Sequence, residues 1–254
     1  IVTVMGHVDH RKSTLIETWR QINITGKEAG GITQHMGAYQ INHQGKLITV
    51  VDTPGHAAFA KMRSRGARVT DLVILLVAAD DGVKPQTKEA IQHIKEAKVP
   101  FLVAINKIDL PEANVERVKS QLAENEVYVE GYGGDVVCVP ISAKKKQNLD
   151  QLLEMVLLVA EMQELKADPK GDLEAVVIEA KLDPKQGPIT TLLVKNGRLK
   201  IGQTVWAETV EGKVRVLMND AGDKVDEAVP GQPVVMVGFK AVPAIGAKIS
   251  SQCL

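Results

Sequence analysis

The sequence predicts an α/β domain, a mostly parallel sheet with helices on both faces, followed by a small antiparallel β-barrel. Three observations carry that expectation. Apolar runs alternate with stretches of helical period as far as Leu165, the pattern of strands that cross over through helices. The stretch Val4 to Leu15, VMGHVDHRKSTL, follows a β-branched run and has the spacing of a phosphate-binding loop that opens a helix. Past the polar stretch Lys166 to Asp172, KADPKGD, the helical period gives way to short strands separated by turn pairs.

Taken in order, Ile1 to Val4 reads as a strand, Gly6 as the start of a tight loop, and Leu15, Trp19 and Ile22 as the apolar spacing of a helix. Gly26 to Tyr39, with Gly26, Gly30, Gly31 and Gly37, carries too many breakers for either element and is expected to be a mobile loop. Strands are expected at Ala38 to Asn42 and Leu47 to Val51 around a turn at Gln44-Gly45. A helix is expected at Ala57 to Arg68, and a strand covered on both faces at Leu72 to Val77. The alternation continues with a helix from about Pro85 to Ala97, a strand from Pro100 to Ile105, a helix near Val115 to Glu124 and a strand from Val136 to Pro140. It ends with a helix from Leu149 to about Leu165. In the second half, strands are expected at Val176 to Ala180, Thr190 to Val194, Thr204 to Ala207, Val214 to Met218 and Val234 to Val237. The division expected is 1–166 and 173–254.

In a parallel sheet the ligand lies at the carboxyl ends of the strands, and Gly6, Asp52, Asn106 and Ser142 each fall at or just past such an end. Four loops therefore open onto one edge. Lys12 would reach the β- and γ-phosphates, while the Ser13 hydroxyl would ligate Mg²⁺. Asp52, 40 residues after Lys12, suits a carboxylate that holds Mg²⁺ directly or through water, with the Gly55 amide on a γ-phosphate; alone, Asp-Thr-Pro-Gly reads equally as a capped turn. Asn106-Lys107-Ile108-Asp109 is expected to read the base, because a carboxylate accepts two parallel hydrogen bonds and guanine offers N1–H and N2–H₂ side by side. Alone it reads as a turn before Pro111. Ser142-Ala143-Lys144 strengthens the guanine reading, since an amide there meets O6 and the stems of Lys107 and Lys144 cover the two faces of the base.

The set GHVDHRKS, GGITQH, DTPGH, NKID and SAK resembles the five nucleotide motifs of the translational GTPases. EAGGITQHMGAY and DTPGHAAFAKMRSRGARVTDLVILLVAADDGVKPQT are similar to the bacterial initiation factor 2 branch of that family, and NGRLKIGQ resembles the domain that follows the GTP-binding domain there. The resemblance implies a P-loop GTPase. Its nucleotide would lie against Gly6, His7, Val8, Asp9, His10, Arg11, Lys12, Ser13 and Thr14, then Asp52, Gly55, His56, Asn106, Lys107, Asp109, Ser142, Ala143 and Lys144. It assigns Mg²⁺ to Ser13, Thr33 and Asp52, and catalysis to His56, Lys12 and Thr33, with His56 orienting the attacking water. A metal cluster at His7, His10 and His35 is disfavoured, because their loops already have phosphate to surround.

One position departs from the pattern: residue 11, glycine in the motif, is Arg11. Backbone there passes close to phosphate, so a side chain has little room. If φ must be positive, arginine adds roughly 1–2 kcal/mol of strain. Weakened GTP binding is expected, with a cationic guanidinium that could still attract phosphate.

The chain has 31 basic and 31 acidic residues and no net formal charge, which argues against an overall field for RNA or DNA. Lys61, Arg65 and Arg68, at i, i+4 and i+7 of a helix, share one face that could meet ribosomal RNA phosphates or be simply solvated. Cys138 and Cys253 are too few for a disulfide or zinc framework, which fits a reduced cytosolic setting. The longest apolar run, Leu72 to Ala79, falls far short of the roughly 20 residues that cross a bilayer. Opening in mid-strand without Met, the chain reads as a piece excised from something longer. The expectation is the GTP-hydrolysing core of a monomeric factor acting on the ribosome. Initiator tRNA would be bound only through domains lying elsewhere, and DNA and membrane are not expected partners. A nucleotide-poor ribosome-binding module, with Arg11 in the phosphate site, and an elongation-type factor are the alternatives.

Overall fold

A computed structural model describes residues 1–24, 37–51 and 69–252. Thr33, Asp52, Gly55, His56, Lys61, Arg65 and Arg68, the helix expected at Ala57 to Arg68 and most of the Gly26 to Tyr39 loop lie outside the described residues.

The first half builds a six-stranded sheet in the order β2-β3-β1-β4-β5-β6. Its strands are β1 (Val2–Gly6), β2 (Ala38–His43), β3 (Lys46–Val51), β4 (Leu72–Ala78), β5 (Phe101–Asn106) and β6 (Cys138–Pro140). All neighbours pair in parallel except the β2–β3 hairpin, so the expected mostly parallel sheet is present. β4 is buried throughout, and its alternation serves two cores at once. Leu72, Ile74 and Leu76 pack with α1 (Lys12–Ile24) and the last helix, here α4 (Leu149–Met162). Val73, Leu75 and Val77 pack with α2 (Pro85–Ala97) and α3 (Val115–Glu124) on the opposite face. Leu15, Ile16 and Trp19 supply α1's inner stripe, and Leu149, Leu152, Leu153 and Val156 supply that of α4. Burial of each large side chain contributes about 1.5–3 kcal/mol, which fixes both helix layers against the sheet.

Local chemistry sets the ends of the helices that flank the loops. Pro85 enters α2 at its first turn, where no amide partner is needed, and Thr87 Oγ1 accepts the Lys84 amide at 3.3 Å. Asn114 caps α3 by accepting the Arg117 amide at 2.9 Å. α4 stops at Met162, before the expected Leu165, because Gln163 leaves the helix and Glu164 takes a left-handed φ of 46°.

In the second half, β7 (Glu174–Asp183), β8 (Gly187–Asn196), β10 (Thr204–Ala207), β11 (Val210–Met218), β13 (Pro233–Phe239) and β14 (Lys248–Ser250) close a barrel in the order β10-β11-β13-β8-β7-β14. The pairings are antiparallel, as expected. A short pair, β9 (Leu199–Lys200) with β12 (Glu227–Ala228), lies beside it. The β7–β8 hairpin is longer than the sequence suggested. Asp183 folds its carboxylate onto the amides of Lys185 and Gln186, each at 2.8 Å, and Gly187 takes φ 78°, so both strands run on to the turn.

The two halves touch. Ala38, Val51 and Val69 share an apolar cluster with Val176, Ile178 and Leu193. Lys195 Nζ lies 2.9 Å from Asp71 Oδ1. No helix among the described residues is long and apolar enough to cross a membrane.

Candidate nucleotide site

The site is built at the carboxyl edge of the sheet, where β1, β4, β5 and β6 release their loops. β1 ends at Gly6, in register with Leu76 of β4. A Cβ added to Gly6 would lie 2.2 Å from the Leu76 carbonyl oxygen, and φ is 145°, so only glycine lets the chain leave β1 here. A 3-10 turn, Val8–His10, follows, closed by the His10 amide on the His7 carbonyl at 3.2 Å. Arg11 then takes φ 64° and ψ 41° in the left-handed region, and α1 begins at Lys12. The condition under which arginine strains the loop is therefore met.

Lys12 Nζ donates to the Gly6 carbonyl at 2.9 Å, folding the ammonium back across the loop. Ser13 is exposed in the first turn of α1, where the helix's amino end favours negative charge. Asp9 is exposed and lies 3.5 Å from His7 Nε2.

Asn106 joins three loops with one side chain, although it is only 1% exposed. Its Nδ2 donates to the His10 carbonyl at 2.9 Å. Its Oδ1 accepts the Lys107 amide at 2.8 Å and the Ala143 amide at 3.0 Å. Three satisfied hydrogen bonds on a buried amide leave little freedom, since losing any one would strand a buried polar group at a cost of about 1–3 kcal/mol. The Gly6–Arg11 loop, the Asn-Lys-Ile-Asp loop and the Ser-Ala-Lys loop are thus held to one another.

Lys107 takes φ 66° and sends its ammonium to Asp80 Oδ2 at 3.1 Å. Ser142, fully buried, donates its hydroxyl to Asp109 Oδ1 at 2.7 Å and accepts the Lys145 amide at 3.1 Å. That hydroxyl, helped by the charges of Lys145 and Arg11, holds the Asp109 carboxyl below the usual carboxylate range. Asp109 is therefore ionised at neutral pH and can accept two hydrogens at once. Lys144 is exposed just beyond Ala143.

Of the residues expected at the site, Gly6, His7, Val8, Asp9, His10, Arg11, Lys12, Ser13 and Thr14 form one continuous loop and helix start. Asn106, Lys107, Asp109, Ser142, Ala143 and Lys144 come to it through Asn106. Thr33, Asp52, Gly55 and His56 fall outside the described residues. Sequence reasoning passed over Asp80, which holds Lys107, and Arg117, whose guanidinium donates to the Asp80 carbonyl at 2.7 Å and the Ala79 carbonyl at 3.3 Å. A signal for Asp80 was available: Ala79-Asp80-Asp81-Gly82 follows a buried strand on the same edge as the other loops.

The family model for the elongation factor Tu GTP-binding domain matches residues 22–162, beginning near the end of α1, and that for elongation factor G domain 2 matches residues 172–252. Translation initiation factor IF-2 of Pelotomaculum thermopropionicum is 58% identical over 97% of this chain and 25% of its own length. That of Halothermothrix orenii is 57% identical over 97% of this chain and 36% of its length. The chain thus spans between a quarter and a little over a third of these relatives. Among solved structures, GDP-bound aIF5B from Aeropyrum pernix superposes with a TM-score of 0.77 at 27% identity, over 98% of this chain and 53% of that one. The apo elongation factor SelB from Methanococcus maripaludis, at 24% identity and a TM-score of 0.74 over 99% of this chain and 54% of that one, shares the fold. The doubly covered parallel sheet, the barrel that follows it and these matches lead to one conclusion: the chain belongs to the translational GTPases and resembles IF-2 along almost its whole length.

Proposed function

We propose that this chain is the GTP-binding and GTP-hydrolysing core of a translation initiation factor that works on the ribosome in the cytoplasm, with a nucleotide domain at 1–166 and a barrel domain at 173–254. The observation that carries it is the Asn106 side chain, which fastens the loop that would hold phosphate to the two loops that would hold guanine. An ionised Asp109 held by Ser142, near the charge of Arg11 at the start of α1, supports the same reading. The relatives named IF-2 and the aIF5B neighbour support initiation over elongation.

In hydrolysis, water attacks the γ-phosphorus, the bond to the β,γ-bridging oxygen breaks, and GDP and phosphate leave. Positioning and electrostatics do most of the work. Lys12, freed from the Gly6 carbonyl, offsets charge on the β- and γ-phosphates. Asp109 accepts N1–H and N2–H₂, the Ala143 region meets O6, and the stems of Lys107 and Lys144 flank the base. By resemblance to the family, His56 would orient the water and Thr33 would meet the γ-phosphate. The exposed Ser13 hydroxyl fits a hard cation, so Ser13, with Thr33 and Asp52, would hold Mg²⁺, which neutralises phosphate charge when bound.

Arg11 lowers the affinity. A left-handed arginine costs about 1–2 kcal/mol more than glycine, so the loop spends less time in the described shape, and affinity falls in proportion. Calorimetry tests the reading: GTP should bind this chain, and Arg11→Gly should bind it about tenfold more tightly. Equal affinities would remove the role given to Arg11. Absence of GTP binding by both would favour the second reading, a nucleotide-poor ribosome-binding module, which the left-handed Arg11 alone supports.

A further inference from the structure

His10 is fully buried, yet it lies in the loop read above as the phosphate cradle. Its Nδ1 is 3.2 Å from the Leu76 carbonyl oxygen of β4. A carbonyl only accepts, so the proton of this imidazole sits on Nδ1 and Nε2 carries a lone pair. Nε2 is buried with no hydrogen-bond partner among the described residues, and the Asp81 carboxylate, at 3.8 Å, presents it with a second acceptor. The His7 ring stands edge-on at 5.1 Å. Burial holds the imidazole below its ordinary value, so the neutral form prevails. The ring thus makes one directed contact, through Nδ1–H.

That contact falls on the same carbonyl that Gly6 abuts at the other end of the loop. Leu76 therefore anchors both ends: Gly6 through contact that excludes a Cβ, His10 through a hydrogen bond. The His10 carbonyl is separately held by Asn106. One residue is tied to β4 by its ring and to β5 by its backbone, immediately before Arg11 and Lys12.

We propose that His10 is a positioning residue for the phosphate loop. Donating Nδ1–H to the Leu76 carbonyl, it sets the loop in the shape that turns the backbone at Arg11 and points Lys12 and the first amides of α1 at phosphate. Its buried ring faces β4 and acts through the loop, so that residue 10 would meet nucleotide through its backbone alone. The assignment rests on reading Val4 to Leu15 as a phosphate loop. It adds that preorganisation comes from an imidazole on β4, which spares the nucleotide part of the cost of ordering the loop.

Side-chain geometry supplies a discriminating test. Asn Nδ2 is as many bonds from Cβ as His Nδ1, whereas Gln Nε2 is as many as His Nε2. His10→Asn keeps the donor that reaches Leu76, and His10→Gln moves it to the side that faces Asp81. In nucleotide-free protein, His10→Asn should leave amide exchange from Asp9 to Ser13 within about threefold of the parent, while His10→Gln should accelerate it about tenfold. GDP affinity should follow the same order, near the parent for His10→Asn and about tenfold weaker for His10→Gln. In the unsubstituted chain, long-range ¹H–¹⁵N spectra should show the His10 proton on Nδ1. A proton on Nε2, or indistinguishable exchange in the two variants, overturns the proposal even if a variant folds poorly. Exchange that follows the expected order, with no GDP binding by the parent, would instead overturn the nucleotide reading and leave the loop assignment intact.

Discussion

Single residues on this chain are legible when their chemistry is carried by the side chain and hidden when it is carried by the backbone. Lys12, Asn106, Asp109 and Ser142 announce themselves by type and spacing, and the fold brings them to one rim. The Leu76 carbonyl, which Gly6 abuts and the His10 ring meets, leaves no trace in a string of letters, because any residue at 76 would offer it. Arg11 was visible as a departure, but the sequence only set the condition, a positive φ, under which it costs energy. Cys138 shows the same divide. Its burial at the start of β6 pushes the thiol up to about 11, with the Lys119 charge opposing. Thiolate then forms only as pH climbs far above neutral. In a Cys253→Ser background, aromatic-disulfide labelling of Cys138 at pH 8 should run about 100-fold slower folded than in denaturant. Similar rates would mean that the thiol is open to solvent.

At the level of elements, the alternation of apolar runs and helical stretches placed α2 and α3 close to where they lie, and the structure adds the reason for their starts in Pro85, Thr87 and Asn114. Boundaries went astray where a turn used a less obvious device. The Asp183 carboxylate on following amides lengthened the β7–β8 hairpin, and two-residue strands such as β9 and β12 are too short for any period. β2 raises a separate issue, because as the edge strand it offers unpaired backbone. Two turns of the barrel half meet the hairpin: Asp220 Oδ2 accepts the Gln40 amide of β2 at 2.6 Å, while Gln40 Nε2 and Thr49 Oγ1 of β3 both donate to the Gly231 carbonyl. Asp220→Ala should cost about 1–2 kcal/mol in urea unfolding with m unchanged, and Asp220→Asn, which keeps an acceptor, should recover most of it. No loss in the alanine variant would show that this contact does not contribute to stability.

On the scale of the whole molecule, the fold class was readable because both halves keep one rule throughout: buried parallel strands between amphipathic helices, then short antiparallel strands with turn pairs. Packing between the halves was not readable. Ala38 and Val51 look like ordinary strand residues, and only the tertiary packing brings them against Val176 and Leu193. The absence of net charge means that any hold on ribosomal RNA must be local. If Lys61, Arg65 and Arg68 provide it, replacing all three by Ala should flatten the logarithmic salt dependence of ribosome binding by about two to three. An unchanged slope would assign contact to another face.

The central claim is that three loops fastened by Asn106 form a pocket that selects guanine through Asp109. Calorimetry with GDP, ADP and xanthosine diphosphate on this chain and on Asp109→Asn tests it most directly. Xanthine carries a carbonyl where guanine carries an amino group, so an amide donor suits it and a carboxylate does not. This chain should bind GDP and reject ADP, and Asp109→Asn should lose GDP affinity by at least about tenfold while gaining it for xanthosine diphosphate. Equal binding of GDP and ADP, or an Asp109→Asn variant whose preference does not move, would contradict the account.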